Sequence, residues 1–481
     1  VSTLSNHAGL SDLAACLRRE PRAVYDILDH ILEQRADATD PVSPYTDWSA
    51  VRLVASAESI RHALKCGNQI GPLSGLPVSI KDLYGLPGLH TYAGTPRRLP
   101  PQWETAGPIV AALIKQGALI SGKTLSGELA LGGLGLNPHW GTPSNPWSRF
   151  GRRVPGGSSS GAGASVVEGT AWAALGTDTG GSVRVPASYH GLVGLKLTYG
   201  RWPMTGVVPL ASMFDSPGLL TRTVDDAAYL FASIDAALAG GIQKASPVDP
   251  RPLAGLRIGI GSPRLWDDCD ATILTVCNDF LTQLGALGVR LIDVAFPESV
   301  NAAQHTREHS FVAAECEQFV RLELPELRTH LSPATLNILA EGATLRDREV
   351  LARQRRFGHL LQRGVTVFDQ VDLVACPTVP IPSPTLAEVQ DYDRYRILNS
   401  AALRNTVIAN LLGLCALTLP VGFDRYGLPV GLQLMAPAGA EAKLLSAALA
   451  IEKRLGTPLE TLGRPSPISA TEHAPENSVR L

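Results

Sequence analysis

The chain carries little charge. Lys, Arg, Asp and Glu make up 18% of its 481 residues, against about a quarter in an ordinary soluble protein. They nearly cancel, to a formal −2, so there is no electrostatic case for nucleic acid or an anionic membrane as partner. Long apolar runs are missing as well: none reaches the ~18 residues of a spanning helix. The opening VSTLSNHAGLSDLAACLRRE lacks a basic start followed by an apolar stretch, so no signal peptide is expected and the expected location is cytoplasmic. Cysteine is sparse and scattered, at 16, 66, 269, 277, 316, 376 and 415. The number is odd and no CxxC pair occurs, which argues against a disulfide framework and predicts reduced, buried thiols.

What is abundant is glycine, with 46 residues, and its densest use falls in 151–201. There GGSSSG (156–161) and GTDTGGS (176–182) flank a short apolar run, almost without charge. Small hydroxyls among glycines point to backbone turning tightly around buried polar chemistry. AGASVVEG predicts a short helix and TAWAALG a buried strand, so the second cluster sits where a strand exits into a turn. Gly180 and Gly181 let backbone N–H groups converge on one point, and Ser182 follows them, as beside an oxyanion hole.

A nucleophilic serine needs a base. His190 lies in a segment that reads as a packed turn. The stronger candidate is Lys81, at the end of the apolar run LPVSI, where desolvation favours the neutral amine. The residues alone leave one alternative open, a strand-end Lys81 in a salt bridge with Asp82. Asp178 is expected to accept backbone N–H bonds and fix the turn that aims Ser182.

The segments GGSSSGAGASVVEG, GTDTGGSVRVPASYHGLVGLKLTYGR and GPLSGLPVSIKD resemble the amidase signature family. Fainter matches are NPHWGTPSNPW (137–147), LRNT (403–406) and GLPVGLQLMAP (427–437). The resemblance implies an α/β fold, a single domain with a mixed central sheet covered by helices on both faces. It also implies a Ser–cis-Ser–Lys triad working through an acyl-enzyme. Ser182 would be the nucleophile, Ser158 the cis-serine after a cis Gly157–Ser158 bond, and Lys81 the base. The N–H groups of Thr179, Gly180, Gly181 and Ser182 would form the oxyanion hole, with Asp178 in support. No metal or organic cofactor is called for. Leu83, Ala106, Leu125 and Cys415 depart from the commonest pattern; none touches the expected triad, but they leave the substrate open.

The apolar, small-residue run LALGGLGL (129–136) suggests room for an uncharged acyl group of moderate size, with Leu131, Gly132 and Gly133 as substrate-binding residues. The expected substrate is a small to medium uncharged amide. A carbamate or urea hydrolase and the glutaminase subunit of an amidotransferase are the alternatives, and a homodimer is left open. Along the chain, 1–70 is expected to form a helical segment packed on the core. The catalytic domain would span 71–463, with a charged helical insertion at 300–370 near the substrate site, and 464–481 would be a disordered tail. Residues 225–239 read as a helix capped by aspartates, and 244–255 as a Pro-rich loop.

Three motifs compete. GALISGKT (117–124) fits a phosphate-binding loop, but here a helix precedes and the loop itself is strand-like, which leaves Lys123 as a surface lysine at a strand end. GSSSG (157–161) fits the hydrolase elbow with Ser159 as nucleophile, but no strand precedes it. HTREH (305–309) places His305, Glu308 and His309 at metal-ligand spacing, though within a segment that reads as a solvated helix face.

Overall fold

The run LPVSIK becomes a strand because it is apolar, β-branched and bounded by glycine and a turn. All five residues of Pro77–Lys81 are buried, as in a strand covered on both faces. In the computed structural model, which describes residues 9–66, 71–240, 248–307, 311–345, 349, 351–352, 355, 358 and 365–465, this strand lies inside one eleven-stranded sheet. The strands are β1 (Tyr45–Asp47), β2 (Pro77–Lys81), β3 (Leu119–Thr124), β4 (Ala173–Asp178), β5 (Val193–Lys196), β6 (Ser216–Thr221), β7 (Arg257–Ile260), β8 (Arg290–Asp293), β9 (Leu373–Pro377), β10 (Cys415–Phe423) and β11 (Pro429–Ala436). Their order is β1-β3-β2-β4-β6-β5-β10-β11-β9-β7-β8. The sheet is mixed: β2 runs parallel to β3 and β4, and β7 to β8 and β9, while the other neighbours are antiparallel.

Alternation along β4 shows how both faces are covered. Ala173 and Leu175 enter the largest apolar core, with Ala227, Leu230, Phe231 and Ile234 of the helix Val224–Leu238. Ala174, between them, packs in a separate cluster. There it meets Ala162 and Val166 of the helix Ser160–Glu168 and Ala187 of the helix Arg184–His190. Parallel pairing of β2 with β4 brings Lys81 and the 177–182 turn out at the same edge of the sheet.

Several local expectations need correction. Residues 1–70 are not purely helical, because Tyr45–Asp47 adds an edge strand to β3. The cap of the helix Val224–Leu238 is the Thr223 side chain, which accepts from the Asp226 N–H. Asp226 instead accepts the Leu10 N–H at 2.6 Å, tying the N-terminal helix to the core. The thiols are all free, but Cys66 is exposed and Cys16 and Cys269 are half-buried. Residues 248–255 are irregular, as the proline content predicts; 244–247 and the tail from 466 lie outside the described residues. Of the expected helical stretch 300–370, the described residues include the helices Pro297–Arg307, Phe311–Glu323 and Pro333–Gly342, and most of 346–364 lies outside the described residues. Among the described residues no helix is long and apolar enough to cross a membrane.

Candidate active site

Lys81 is completely buried at the end of β2. Its Nζ lies 2.9 Å from Ser158 Oγ and 2.8 Å from Thr177 Oγ1, both neutral hydroxyls. Burial lowers its pKa to about 7, although the carboxylates of Asp215 and Asp178 pull it upward. An ammonium ion is costly to desolvate without a close counter-ion, so the free amine gains population. A neutral amine can donate to Thr177 and accept from Ser158 at once.

Ser158 is held from two sides. The Gly157–Ser158 bond is cis. The Gly157 N–H donates to Gly133 O at 2.8 Å, and Ser158 O accepts the Gly127 N–H at 3.1 Å. The two serine clusters meet directly: the Ser159 N–H donates to Ser182 O, and Ser159 Oγ to Thr177 O, both at 3.3 Å. Ser182 is nearly buried, 5% exposed. Among the described residues, the N–H groups of Thr179, Gly180, Gly181 and Ser182 have no acceptor within the protein. Four unused donors in succession beside a serine can receive an anionic oxygen. Gly181 has φ +138°, and a Cβ there would stand 2.2 Å from Thr406 Oγ1. Only glycine fits.

The turn is fixed by a buried ionic network. Asp178 Oδ2 accepts from the N–H groups of Val183 and Arg184, at 3.1 and 3.4 Å, and the Arg184 guanidinium grips both carboxylate oxygens, at 3.0 and 2.8 Å. Arg184 also donates to Thr406 O, Asn410 Oδ1 and Gln433 Oε1. Burial pushes the Asp178 carboxyl up, but Arg184 overrides this and holds it down at about 2. Asp215 Oδ1 accepts from Thr179 Oγ1 at 2.5 Å, and Oδ2 from the N–H groups of Leu210 and Ala211. Its carboxyl is raised to about 6, chiefly by burial.

Lys123 is not a surface lysine. It is completely buried and pairs with Asp82 Oδ1 at 2.8 Å, while also donating to Thr91. Asp82 therefore faces Lys123 and not Lys81, which removes the salt-bridge alternative. GALISGKT is, as expected, the end of the helix Pro108–Lys115 followed by β3, so no phosphate loop is formed. His190 is buried and its Nδ1 bonds Pro186 O within its own helix. Burial lowers it to about 4, against that bond. Ser159 follows a segment with no named strand and heads the helix Ser160–Glu168. Of the metal-spaced motif, Glu308 and His309 lie outside the described residues, and no cluster of His, Cys, Asp or Glu able to hold a metal occurs among those described.

Leu131 and Gly132 are half-buried and Gly133 is buried, in the loop that receives the Gly157 N–H. Sequence reasoning missed the residues around them. A Cβ on Gly133 would meet Leu403, and one on Gly181 would meet Leu403 as well, so the helix Tyr392–Leu403 lies against both loops. Thr177, Arg184 and Asp215 were also unassigned. Thr177 and Arg184 stand within the signature segment, at the strand end and two residues after Ser182, and that spacing was the available signal. Asp215 carries none: it is distant in sequence and arrives through the pairing of β6 with β4.

A family model described as Amidase matches residues 26–445. A 2-amino-5-chloromuconic acid deaminase of Comamonas testosteroni is 42% identical over 459 residues, covering 95% of this chain and 98% of its own. A fatty acid amide hydrolase of Oryza sativa subsp. indica is 32% identical over 458 residues, covering 89% of this chain and 73% of its own. The crystal structure of an amidase superposes with a TM-score of 0.81 at 29% identity, covering 93% of this chain and all of that one.

Proposed function

The chain belongs to the Amidase family and is a hydrolase of C–N bonds; from that premise we propose that Ser182, Ser158 and Lys81 carry the reaction. The observation that carries this reading is the contact of a desolvated Lys81 amine with Ser158 at 2.9 Å, with no carboxylate bonded to it. Neutral Lys81 accepts the Ser158 proton as Ser158 takes that of Ser182. Ser182 Oγ then bonds to the carbon of the scissile C–N group. The developing oxyanion is received by the N–H groups of 179–182. The proton held on Lys81 returns through Ser158 to the departing nitrogen as the C–N bond breaks. Water repeats the sequence on the acyl-enzyme, releasing the acid and restoring Ser182. Asp178 and Arg184 hold the turn that presents these donors.

The substrate we infer is a small molecule that carries a carboxylate as well as the C–N group. This replaces the uncharged acyl group expected from LALGGLGL. Its support is the Comamonas testosteroni relative, named for a muconic acid. The helices Phe311–Glu323 and Pro333–Gly342 form one wall of the site in this reading: Phe311 packs edge-on against Phe214 at 5.4 Å, and Glu128 accepts from Ser332, which caps the second helix. The test is release of ammonia or amine from a panel of amides, amino-acid-like acids, esters, carbamates, ureas and glutamine, run on the wild type and on Ser182→Ala. Turnover by the wild type that vanishes in the variant supports the reading; equal turnover by both would overturn it.

A further inference from the structure

The helix Tyr392–Leu403 presents Tyr395, Asn399 and Leu403 at intervals of four, so they form one stripe along a single face. That stripe lies on the loop next to Ser158. The Gly133 N–H donates to Asn399 Oδ1 at 2.6 Å, and Gly133 O accepts from the Gly157 N–H. Tyr395 Oη sits so close to Gly132 that a Cβ there would stand 2.3 Å from it, and Asn399 Oδ1 would be 3.6 Å away. Leu403 closes the stripe between Gly133 and Gly181.

Two hydrogen-bonding groups on this stripe are unused. Because Asn399 Oδ1 takes the Gly133 N–H, the amide is oriented and its Nδ2 hydrogens face outward. Neither that Nδ2 nor Tyr395 Oη has a hydrogen-bond partner among the described residues, and neither is among the buried atoms left without one. Both groups are therefore accessible, the phenol lying directly over Gly132. Burial keeps the Tyr395 phenol protonated, raised to about 12. An amide donor and a phenol donor one helical turn apart on the same face match an acceptor with two oxygens.

We propose that Tyr395 and Asn399 are specificity-determining residues that bind the carboxylate of the substrate, with Gly132 kept bare to seat the Tyr395 hydroxyl. This rests on the hydrolase reading above and names the group that the site selects. Asn399 also has a positioning role, through Gly133, on the Ser158 loop. The choice of substitution can separate the two. Asn399→Asp keeps an oxygen for the Gly133 N–H but replaces the donor with a negative charge. Tyr395→Phe removes only the hydroxyl.

The experiment compares kcat/KM for adipamic acid and for hexanamide, a pair of matched length with and without the carboxylate, and measures adipate binding by calorimetry. The wild type is expected to prefer the acid. Both variants should lose at least about tenfold on the acid and on adipate affinity, with hexanamide changed less than about threefold. Parallel loss on both amides would mean that the stripe only holds the Ser158 loop, and would overturn the proposal; so would unchanged selectivity in both variants. If the wild type hydrolyses neither amide yet binds adipate in a Tyr395-dependent way, the recognition stands and the hydrolytic reading of these substrates fails. Absence of both turnover and binding overturns the proposal.

Discussion

Lys123 Nζ lies 2.8 Å from Asp82 Oδ1, with both side chains completely buried. This pair neutralises the carboxylate adjacent to Lys81 in the chain and leaves Lys81 bonded only to hydroxyls. Burial pushes the Asp82 carboxyl up, and Lys123 opposes that. Lys123→Met should therefore do two things. Removing one partner of a buried pair destabilises by about 3–5 kcal/mol, visible as a lower Tm. Whatever charge Asp82 retains is then uncompensated beside Lys81, so the rising limb of kcat/KM should move to higher pH. A destabilised variant with an unmoved limb would mean that the pair has no electrostatic part in the site.

Ser182→Ala should abolish turnover by at least about a thousandfold while leaving circular dichroism and Tm near wild type. Ser159→Ala removes only a 3.3 Å bond to Thr177 O and should keep activity within about tenfold. The reverse ranking would return the nucleophile to Ser159.

The sheet and the two serine clusters were legible because their signals are local. A five-residue apolar run bounded by a turn must be a buried strand, and glycines before Ser182 must make a tight turn. Alternation along a strand lets consecutive residues such as Lys81 and Asp82 point to opposite faces. Alternation alone does not point to Lys123, because the pairing of β2 with β3 that brings it to Asp82 is a tertiary fact. Asp215 and Tyr395 were invisible for the same reason. Each reaches the site from far along the chain, and neither type nor spacing marks it. Thr223 was passed over as a cap in favour of two aspartates inside the first turn, since several good capping residues stand side by side there.

The pH profile should report Lys81. With its pKa lowered to about 7, kcat/KM should rise through that value and level off above it. Asp215 pulls the lysine upward, second only to the opposing effect of burial. Asp215→Asn should therefore shift the limb toward acid, with an oxygen still available to Thr179. A shift toward alkali would show that Asp215 does not act on Lys81 by charge. Lys81→Arg should be inactive at every pH, because a guanidinium keeps its proton; near-wild-type activity in that variant would make the cation itself the useful form.

The same burial implies that Lys81 costs stability, and the sign is testable. The folded pKa of about 7 lies below the ordinary 10.5. Between these values the unfolded chain holds a proton that the folded chain has released. Wild-type stability must then rise with pH across this window, and the cost of burying the lysine is full below pH 7 and gone above 10.5. The fall in pKa corresponds to roughly 5 kcal/mol. Lys81→Met removes that cost and loses two hydrogen bonds worth ~1 kcal/mol each. The variant should be inactive yet more stable than wild type by on the order of 2–3 kcal/mol at about pH 6–7, the difference between these two effects. The gap should close, then reverse, as the pH approaches about 10. Urea denaturation of both proteins from about pH 6 to 10 measures it. A variant less stable than wild type near the acid end of that range would mean that burial does not disfavour the Lys81 ammonium form, and the relay from Ser182 would lose its base at neutral pH.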